Sequence, residues 1–238
     1  MKQINIIFGL IVLSVLCFTS CSKMHDNIKE FATEETVYPG RFDGVIRTYT
    51  GFERVELDLM RAGRIPESEM NLGKAEKTVV EYGSQPLVID SVASWVNVTG
   101  LKLKQNYRFK IYTIDKYNDQ SIAVEGTAMP YTEDDLSTLA LPAPKTRALS
   151  ATSLEVSWTR MSSVLLDYYR MTYSYTDKDN VKREGASSGE SPVVVLDNLA
   201  AGQQVSFAWK CRIIPRVNNV PIIDSVWWDR PTLTFTMQ

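Results

Sequence analysis

The stretch VSFAWKCRI, residues 205–213, alternates between apolar side chains and polar or small ones. The apolar members are Val205, Phe207, Trp209, Cys211 and Ile213. Successive side chains of a β-strand point to opposite faces, so a period of two places these five on one face. The pattern predicts a strand of an antiparallel sheet that packs one face into a core, where Cys211 acts as a small hydrophobe.

A related pattern occurs about 100 residues earlier. Residues 98–111 align with residues 196–209 in their apolar positions, Leu101 corresponding to Leu199. Further upstream RVELDLM, residues 54–60, corresponds to LEVSWTR, residues 154–160. A repeat of this length with the same internal order predicts two copies of one domain.

Turn signals separate the short apolar runs. DKYNDQS at 115–121 and DKDN at 177–180 have the composition of hairpin turns, and they lack the glycine and glutamate that complete a calcium loop. Short strands joined by such turns predict an all-β fold of two tandem antiparallel β-sandwiches.

Three motifs resemble fibronectin type III domains. Leu101-x5-Tyr107-x-Phe109 is similar to their E–F corner and F strand, DYYRMTYSYTD at 167–177 to their C strand, and LEVSWTR to their B strand with its core tryptophan, Trp158. Each copy departs from the pattern once, with Val205 at the corner-tyrosine position and Leu59 at the tryptophan position. The resemblance implies immunoglobulin-like sandwiches of the fibronectin type III kind.

The N-terminus has the features of an export signal. Lys2 precedes a 13-residue apolar run, residues 6–18, which is interrupted by Gly9 and Ser14. A run of this length is typical of a signal peptide, whereas a spanning helix needs about 20 apolar residues. The sequence therefore predicts that residues 1–20 are cleaved during export.

The residues before Cys21 indicate how the mature chain begins. Phe18-Thr19-Ser20-Cys21 resembles a bacterial lipobox, in which small residues precede a cysteine that is lipidated and becomes the first mature residue. Cys17 follows the bulky Leu16 and would be discarded with the signal. The alternative is an ordinary secretory signal with an incidental cysteine.

Composition shifts divide the rest of the chain. We expect a lipidated tether at 21–37, a first fibronectin type III-like domain at 38–130, a linker at 131–140 and a second such domain at 141–238. Three prolines bracket the linker, and Thr132 with Asp135 is expected to cap one short helical turn there.

Nearly the whole chain resembles an uncharacterised family of Bacteroidetes surface lipoproteins. The stretches that carry this resemblance are CSKM…YPG, YRFKIYTIDKYNDQSIAVEGTAMPY and IIDSVWW. The resemblance implies a lipid-anchored protein of the bacterial outer membrane, with possible surface exposure, from a family that is often encoded beside glycan-uptake systems. It brings no catalytic residues to this chain.

The sequence offers no catalytic, metal or cofactor site. No serine lies in a G-x-S-x-G turn, no glycine-rich phosphate loop occurs, and the one histidine, His25, belongs to the tether. The net charge is −2, and the sequence contains no cluster of basic residues of the kind that nucleic-acid binding requires. We therefore expect a protein that is not an enzyme and binds no nucleic acid.

Aromatic side chains are the candidate ligand contacts, because sugar rings stack on them. Trp95 is expected on an outer face, Tyr117 at an F–G loop tip, Tyr168 beside an inward Tyr169, and one of the adjacent Trp227 and Trp228 must face outward. Trp95 could be covered by the neighbouring domain or the linker, or it could meet a ligand. The expected function is glycan or partner-protein binding in a glycan-uptake system; the alternative is a structural spacer or adhesion module.

Overall fold

The structure is a computed structural model that describes residues 38–44, 46–60, 72–140, 142–159, 166–188 and 191–237, apart from the side chain of Tyr169. The predicted signal peptide, the tether and the lipidation residue Cys21 lie outside the described residues.

Within the described residues, seven strands before residue 130 build the first sandwich. They are β1 (Arg47–Thr50), β2 (Arg54–Asp58), β3 (Lys77–Glu81), β4 (Leu87–Ile89), β5 (Trp95–Thr99), β6 (Tyr107–Ile114) and β7 (Val124–Ala128). One sheet has the order β1-β2-β5 and the other β4-β3-β6-β7, with all pairs antiparallel.

The second sandwich follows a short helix, α1 (Glu133–Thr138). Its strands are β8 (Lys145–Ser150), β9 (Ser153–Ser157), β10 (Leu166–Thr176), β11 (Lys182–Ser188), β12 (Val193–Leu196), β13 (Gln204–Val217), β14 (Val220–Pro221), β15 (Val226–Asp229) and β16 (Leu233–Thr236). One sheet has the order β12-β9-β8, and the other β11-β10-β13, with β14, β15 and β16 all pairing with β13.

The two sandwiches share one strand order. In fibronectin type III terms, each has an A-B-E sheet facing a C′-C-F-G sheet, with β2 and β9 as the B strands and β6 and β13 as the F strands. The predicted fold class, two tandem fibronectin type III-like antiparallel sandwiches, is thereby confirmed.

Each sandwich has its own hydrophobic core. The inward row of β13 predicted from the alternation is buried throughout, and so are Leu154, Val156 and Trp158 beside it. In the first sandwich Phe109 and Ile111 are buried while Arg108 and Lys110 are exposed. The period-two pattern therefore located the core faces of these strands correctly.

Two hairpins use the same aspartate-based turn. Asp115 and Asp177 are buried, and the Oδ1 atom of each accepts hydrogen bonds from the backbone N–H groups two and four residues further on, at 2.8–2.9 Å. Asn118 and Asn180, three residues after each aspartate, have φ angles of 69° and 61°, a left-handed conformation that asparagine tolerates. The predicted hairpin turns are confirmed at both places.

A tyrosine from another strand compensates for Val205 in the second sandwich. The hydroxyl of Tyr175, on β10, donates to the carbonyl of Asp197 at 3.2 Å and accepts from its N–H at 2.9 Å. These two hydrogen bonds to the turn after β12 anchor the E–F connection, which is the role of the corner tyrosine in the related fold.

The predicted linker packs against the second sandwich. The backbone N–H and the hydroxyl of Thr132 both donate to the Asp135 carboxylate, at 2.9 and 3.1 Å, so the predicted cap of α1 is present. Tyr131 and Leu136 are buried in the second core. Burial of Tyr131 raises the pKa of its hydroxyl to about 12, so it stays neutral.

The turn between β1 and β2 joins the two sandwiches. The Asp224 carboxylate, from the second sandwich, accepts hydrogen bonds from Arg54 Nε at 3.0 Å, Arg54 Nη2 at 2.8 Å and the Phe52 N–H at 2.8 Å. The Ile223 N–H donates to the Thr50 carbonyl at 3.0 Å. These bonds and the packing of Phe52 on the second core fix how the sandwiches meet.

Gly51 makes this junction possible. A Cβ atom at position 51 would lie 2.6 Å from Asp224 Oδ2 and 2.7 Å from Arg54 Cγ. Any larger residue would therefore push the carboxylate away from its partners.

Within the described residues no helix has both the length and the apolar character required to cross a bilayer.

Candidate functional site

A groove runs along the outer face of the C′-C-F-G sheet in the second sandwich. Its main part has a volume of about 670 Å³, and a smaller part of about 420 Å³ continues from it past Arg170 and Ala186. The strands β11, β10, β13 and β15 all contribute residues to its walls and floor. We call it the sheet groove.

Strand pairing places the groove residues in rows across the sheet. The residues in one row are Ser188, Arg170, Arg212 and Trp227. Those in the next row are Ala186, Thr172, Lys210 and Asp229. A third row contains Glu184, Ser174 and Ala208. Neighbours within a row have Cβ atoms about 4.5–5.5 Å apart, so these side chains share one continuous surface.

Small side chains form the floor of the sheet groove. Ala186, Ala208, Thr172 and Ser174 occupy its centre, between longer charged side chains. Beside them Gly185 lies against Tyr173, whose ring stacks on Phe207 of the core with centroids 5.4 Å apart. A Cβ at Gly185 would lie 2.4 Å from the Tyr173 hydroxyl oxygen, so the glycine lets the tyrosine approach.

The groove is bordered by more cations than anions. Arg170 and Arg212 lie directly opposite each other on adjacent strands, with Lys210 in the next row. Arg212 Nε donates to Ser225 Oγ at 2.9 Å, which orients its guanidinium. Lys182 is balanced by Glu184, with Nζ and Oε1 2.7 Å apart. Like charges directly opposite on a sheet are destabilising, so this cluster costs stability in the unliganded protein.

The two adjacent tryptophans face opposite sides of β15. Trp227 is 43% exposed and lies opposite Arg212, and Nζ of Lys210, a residue that lines the sheet groove, is 5.0 Å from its ring centroid. Trp228 is 5% exposed, packs in the core, and has the Arg230 guanidinium 3.9 Å from its ring centroid. Only Trp227 offers a surface to a ligand.

Tyr168 lies on the core side, contrary to the alternation that would put it beside an inward Tyr169. The register of β10 against β13 shifts between Tyr168 and Arg170, which is a β-bulge. A bulge adds one residue and reverses the facing of what precedes it. Tyr168 thus pairs with inward Ile213, and its hydroxyl donates to the Ser187 carbonyl at 3.2 Å. Burial raises its pKa.

The remaining two aromatic candidates belong to the first sandwich and lie apart from the sheet groove. Trp95 is half-buried on the outer face of the A-B-E sheet, where Tyr49 of the edge strand stacks on it with centroids 5.5 Å apart. The ring of Trp95 is therefore partly shielded from solvent by Tyr49, a residue of its own sheet. Tyr117 is 67% exposed at the F–G hairpin tip, and Lys116 Nζ lies 4.8 Å from its ring centroid.

Sequence reasoning did not identify the polar part of the sheet groove. Lys210 and Arg212 were recognisable as outward members of the β13 alternation. The outward position of Arg170 follows from the same alternation on β10, but its proximity to Arg212, 42 positions away in the chain, depends on how β10 and β13 pair. The signal that could have found the polar part of the groove is the run of small outward residues at Thr172 and Ser174.

Cys211 is fully buried in the second core. Desolvation raises the pKa of its thiol to about 12, so the thiolate that would react is not formed at neutral pH. The predicted role as a small core hydrophobe fits this position. Among the described residues, no three or more His, Cys, Asp or Glu side chains are grouped so that they could hold a metal ion.

Several solved structures are similar to this chain. The chicken CNTN1 FN1–FN3 domains match with 12% identity and a TM-score of 0.35, covering 87% of this chain and 70% of that one. A central fibronectin-III array of RIM-binding protein matches with 9% identity and a TM-score of 0.29, covering 84% and 69%. A two-domain fibronectin type III segment of chicken tenascin matches with 13% identity and a TM-score of 0.29, covering 84% and 99%.

No curated protein matches the sequence. A family match extends over residues 21–218, which includes the described strands of the first sandwich and those of the second as far as β13, and ends before Ile223 and Asp224 of the junction. The family, DUF4998, is described as a domain of unknown function. Since the match spans far more than half of the 238 residues, this chain belongs to the DUF4998 family.

Proposed function

We propose that this protein is a non-catalytic cell-envelope protein that binds glycan in the sheet groove of its second sandwich. The observation that carries the proposal is an exposed tryptophan, Trp227, whose ring contacts Lys210 in the wall of a groove of about 670 Å³. Ligand sites commonly have volumes of about 300–1,000 Å³. A groove of this size accommodates several linked sugar rings.

The chemistry of the lining supports a carbohydrate ligand. A sugar presents an apolar C–H face, which can stack on Trp227, and a rim of hydroxyl groups. Thr172 and Ser174 on the floor can donate to and accept from those hydroxyls, and Glu184 and Asp229 can accept from them. The floor of small side chains lets the ligand approach the sheet closely.

Lys210 occupies the space over Trp227 when no ligand is bound. Its ammonium lies 5.0 Å from the ring centroid, which is a cation–π contact worth about 0.5–1 kcal/mol at an exposed site. A lysine side chain has a flexible stem, so a sugar ring can displace the ammonium at this small cost. The displaced ammonium then becomes a donor beside the bound sugar.

Replacing Trp227 by alanine is expected to weaken glycan binding by about tenfold. Truncating a tryptophan that anchors a ligand commonly costs more than 1 kcal/mol, and about 1.4 kcal/mol corresponds to a factor of ten. Affinity electrophoresis of the purified full chain in gels that contain individual polysaccharides identifies the ligand, and calorimetric titration measures the change.

Tyr117→Ala is the matched control. Tyr117 is the other strongly exposed aromatic candidate, and it lies in the first sandwich. Unchanged binding in this variant and loss in Trp227→Ala assign the ligand to the sheet groove. The reverse pattern would move the site to the F–G hairpin, and equal affinity in both variants would refute an aromatic anchor.

We also propose that the chain is held at the bacterial outer membrane by lipid on Cys21. The small residues Thr19 and Ser20 before it support this, as does a family match that begins at position 21. Each buried methylene of an acyl chain contributes about 0.8 kcal/mol, so several chains give stable anchoring.

Cys21→Ser is expected to move the protein from the membrane fraction to the soluble fraction. Without the thiol no lipid can be attached, and the hydrophobic contribution of the acyl chains is lost. Cell fractionation with metabolic labelling by a fatty acid measures both effects. Cys17→Ser is the control and should leave labelling intact, whereas unchanged membrane retention of Cys21→Ser would refute the anchor.

A structural spacer is the second candidate function, and the junction favours it. The bidentate pair of Arg54 with Asp224 holds the sandwiches in one arrangement, as a spacer requires. Intact folding combined with no binding to any polysaccharide would favour this role over glycan binding.

A further inference from the structure

We infer that the sheet groove selects acidic glycans, whose carboxylate or sulfate groups are held by Arg170 and Lys210. This inference rests on the proposed glycan-binding function and adds the class of ligand. It is carried by the arrangement of charges around Trp227 rather than by the tryptophan itself.

Two cations of the groove, Arg170 and Lys210, form no ion pair within the described part of the protein. Arg170 is exposed and forms no ion pair with the described residues, and Lys210 contacts the ring of Trp227 instead of a carboxylate. Asp229 is the residue opposite Lys210 on β15, yet no ion pair joins them within the described structure. An anion from outside would therefore find two available cationic donors.

The position of these donors fits one anionic group beside a stacked sugar. Arg170 lies one strand and one row from Lys210, so both are diagonal neighbours on the same face. An arginine guanidinium binds a carboxylate or sulfate through two parallel N–H donors, and a lysine ammonium adds a point charge. A sugar stacked on Trp227 would place its acidic group between them.

The pairing of Arg170 with Arg212 supports the same conclusion. The two arginines are directly opposite each other in the strand register, so their like charges repel, and an anion bound beside them would lower that repulsion. The chain as a whole has a net charge of −2, so this local cluster of cations is not a consequence of an overall basic composition. A polyanion would be attracted to the cluster.

Two pectic polysaccharides with one backbone provide the test. The purified full chain is titrated with polygalacturonate and with its methyl-esterified form, which has the same sugar backbone without the charges; alginate and chondroitin sulfate extend the acidic set, and dextran and xylan the neutral set. We expect at least one acidic glycan to bind about tenfold more tightly than every neutral one, and the affinity to fall with rising NaCl.

The variant Arg170→Gln with Lys210→Gln is expected to weaken the binding of the acidic glycan about tenfold. Lys145→Gln with Arg147→Gln is the matched control, because it removes one lysine and one arginine charge from exposed positions of the opposite sheet in the same sandwich. It should bind as the wild type does. The salt dependence and the comparison between acid and ester use the wild-type chain, so they remain decisive if the variant folds poorly.

The experiments distinguish a failure of the acidic specificity from a failure of the proposed glycan binding. Equal or tighter binding of neutral glycans, lost in Trp227→Ala, would overturn the acidic specificity and leave the proposed function standing. Absence of binding to every glycan of both sets would overturn both. Binding of inorganic polyphosphate as tight as that of the acidic glycan, unaffected by Trp227→Ala, would show a patch that recognises charge alone and would also overturn the inference.

Discussion

Phe207→Ala should destabilise the second sandwich by about 3–5 kcal/mol, the usual cost of removing a phenylalanine from a packed core. Phe207 is fully buried, and its ring contacts those of Trp158, Tyr173 and Phe235, with centroids 5.4–5.9 Å apart. Alanine would leave a cavity that three rings, each held by other contacts, cannot close. Urea denaturation followed by tryptophan fluorescence measures the change.

The fluorescence signal reports mainly on this sandwich. The tryptophans of the second sandwich are Trp158, Trp209, Trp227 and Trp228, and Trp95 belongs to the first. Phe235→Ala is the control, since that ring is only partly buried at the edge of the same cluster and its removal should cost clearly less. A loss below about 1 kcal/mol for Phe207→Ala would contradict the packing described here.

Asp224→Ala is expected to release the two sandwiches from their fixed arrangement and to reduce the free energy of unfolding by about 1–2 kcal/mol. Hydrogen bonds to charged groups contribute about 1.5–3 kcal/mol, and partial exposure of Arg54 and Asp224 reduces that figure. Small-angle scattering should show a broader range of interdomain distances, and calorimetry should show the two sandwiches unfolding separately.

Asp167→Ala is the matched control for the junction. Asp167 also accepts two hydrogen bonds from one arginine, Arg216, at 3.1 and 2.9 Å, but both residues lie within the second sandwich. Its removal should change stability without changing the scattering. Gly51→Ala approaches the junction from the other side, because its Cβ would displace the Asp224 carboxylate. Unchanged scattering in both junction variants would refute the conclusion that the bonds of Asp224 fix the arrangement of the two sandwiches.

The contribution of Asp224 also depends on pH in a defined direction. Burial alone would raise the pKa of its carboxyl group. The hydrogen bonds from Arg54 and from the Phe52 N–H lower the pKa by more than burial raises it, so the pKa lies below its ordinary value. The stabilisation is therefore fully present above the unfolded-state pKa of about 3.9 and is lost as the pH falls through the lower folded-state value. The stability difference between wild type and Asp224→Asn should shrink over that acidic range.

The strands could be read from the sequence because their cause is local. Alternation with a period of two marks a face that must be buried, and this property of nine consecutive residues, 205–213, placed the core row of β13 correctly. The same holds for the cap of α1 by Thr132 and Asp135, and for the aspartate turns of the two hairpins, since each depends on residues at most four positions apart.

The side-chain orientation of Tyr168 and the neighbours of Trp95 could not be predicted from the sequence in the same way. The bulge between Tyr168 and Arg170 turned Tyr168 toward the core, and β-bulges arise from how two strands pair rather than from the strand that carries them. The cover of Trp95 by Tyr49 likewise requires β1, β2 and β5 to lie side by side.

The sequence by itself determined the two-copy β architecture, the inward rows of its strands and the expectation of a lipidated Cys21, because periodicity, repeat spacing and small residues before a cysteine are all local signals. Only the tertiary structure decided that Arg170, Arg212 and Trp227 form one row and that Asp224 clamps Arg54 across the junction. The physical reason is that these contacts join residues 15 to 170 positions apart, and sheet pairing and domain packing alone bring such residues together.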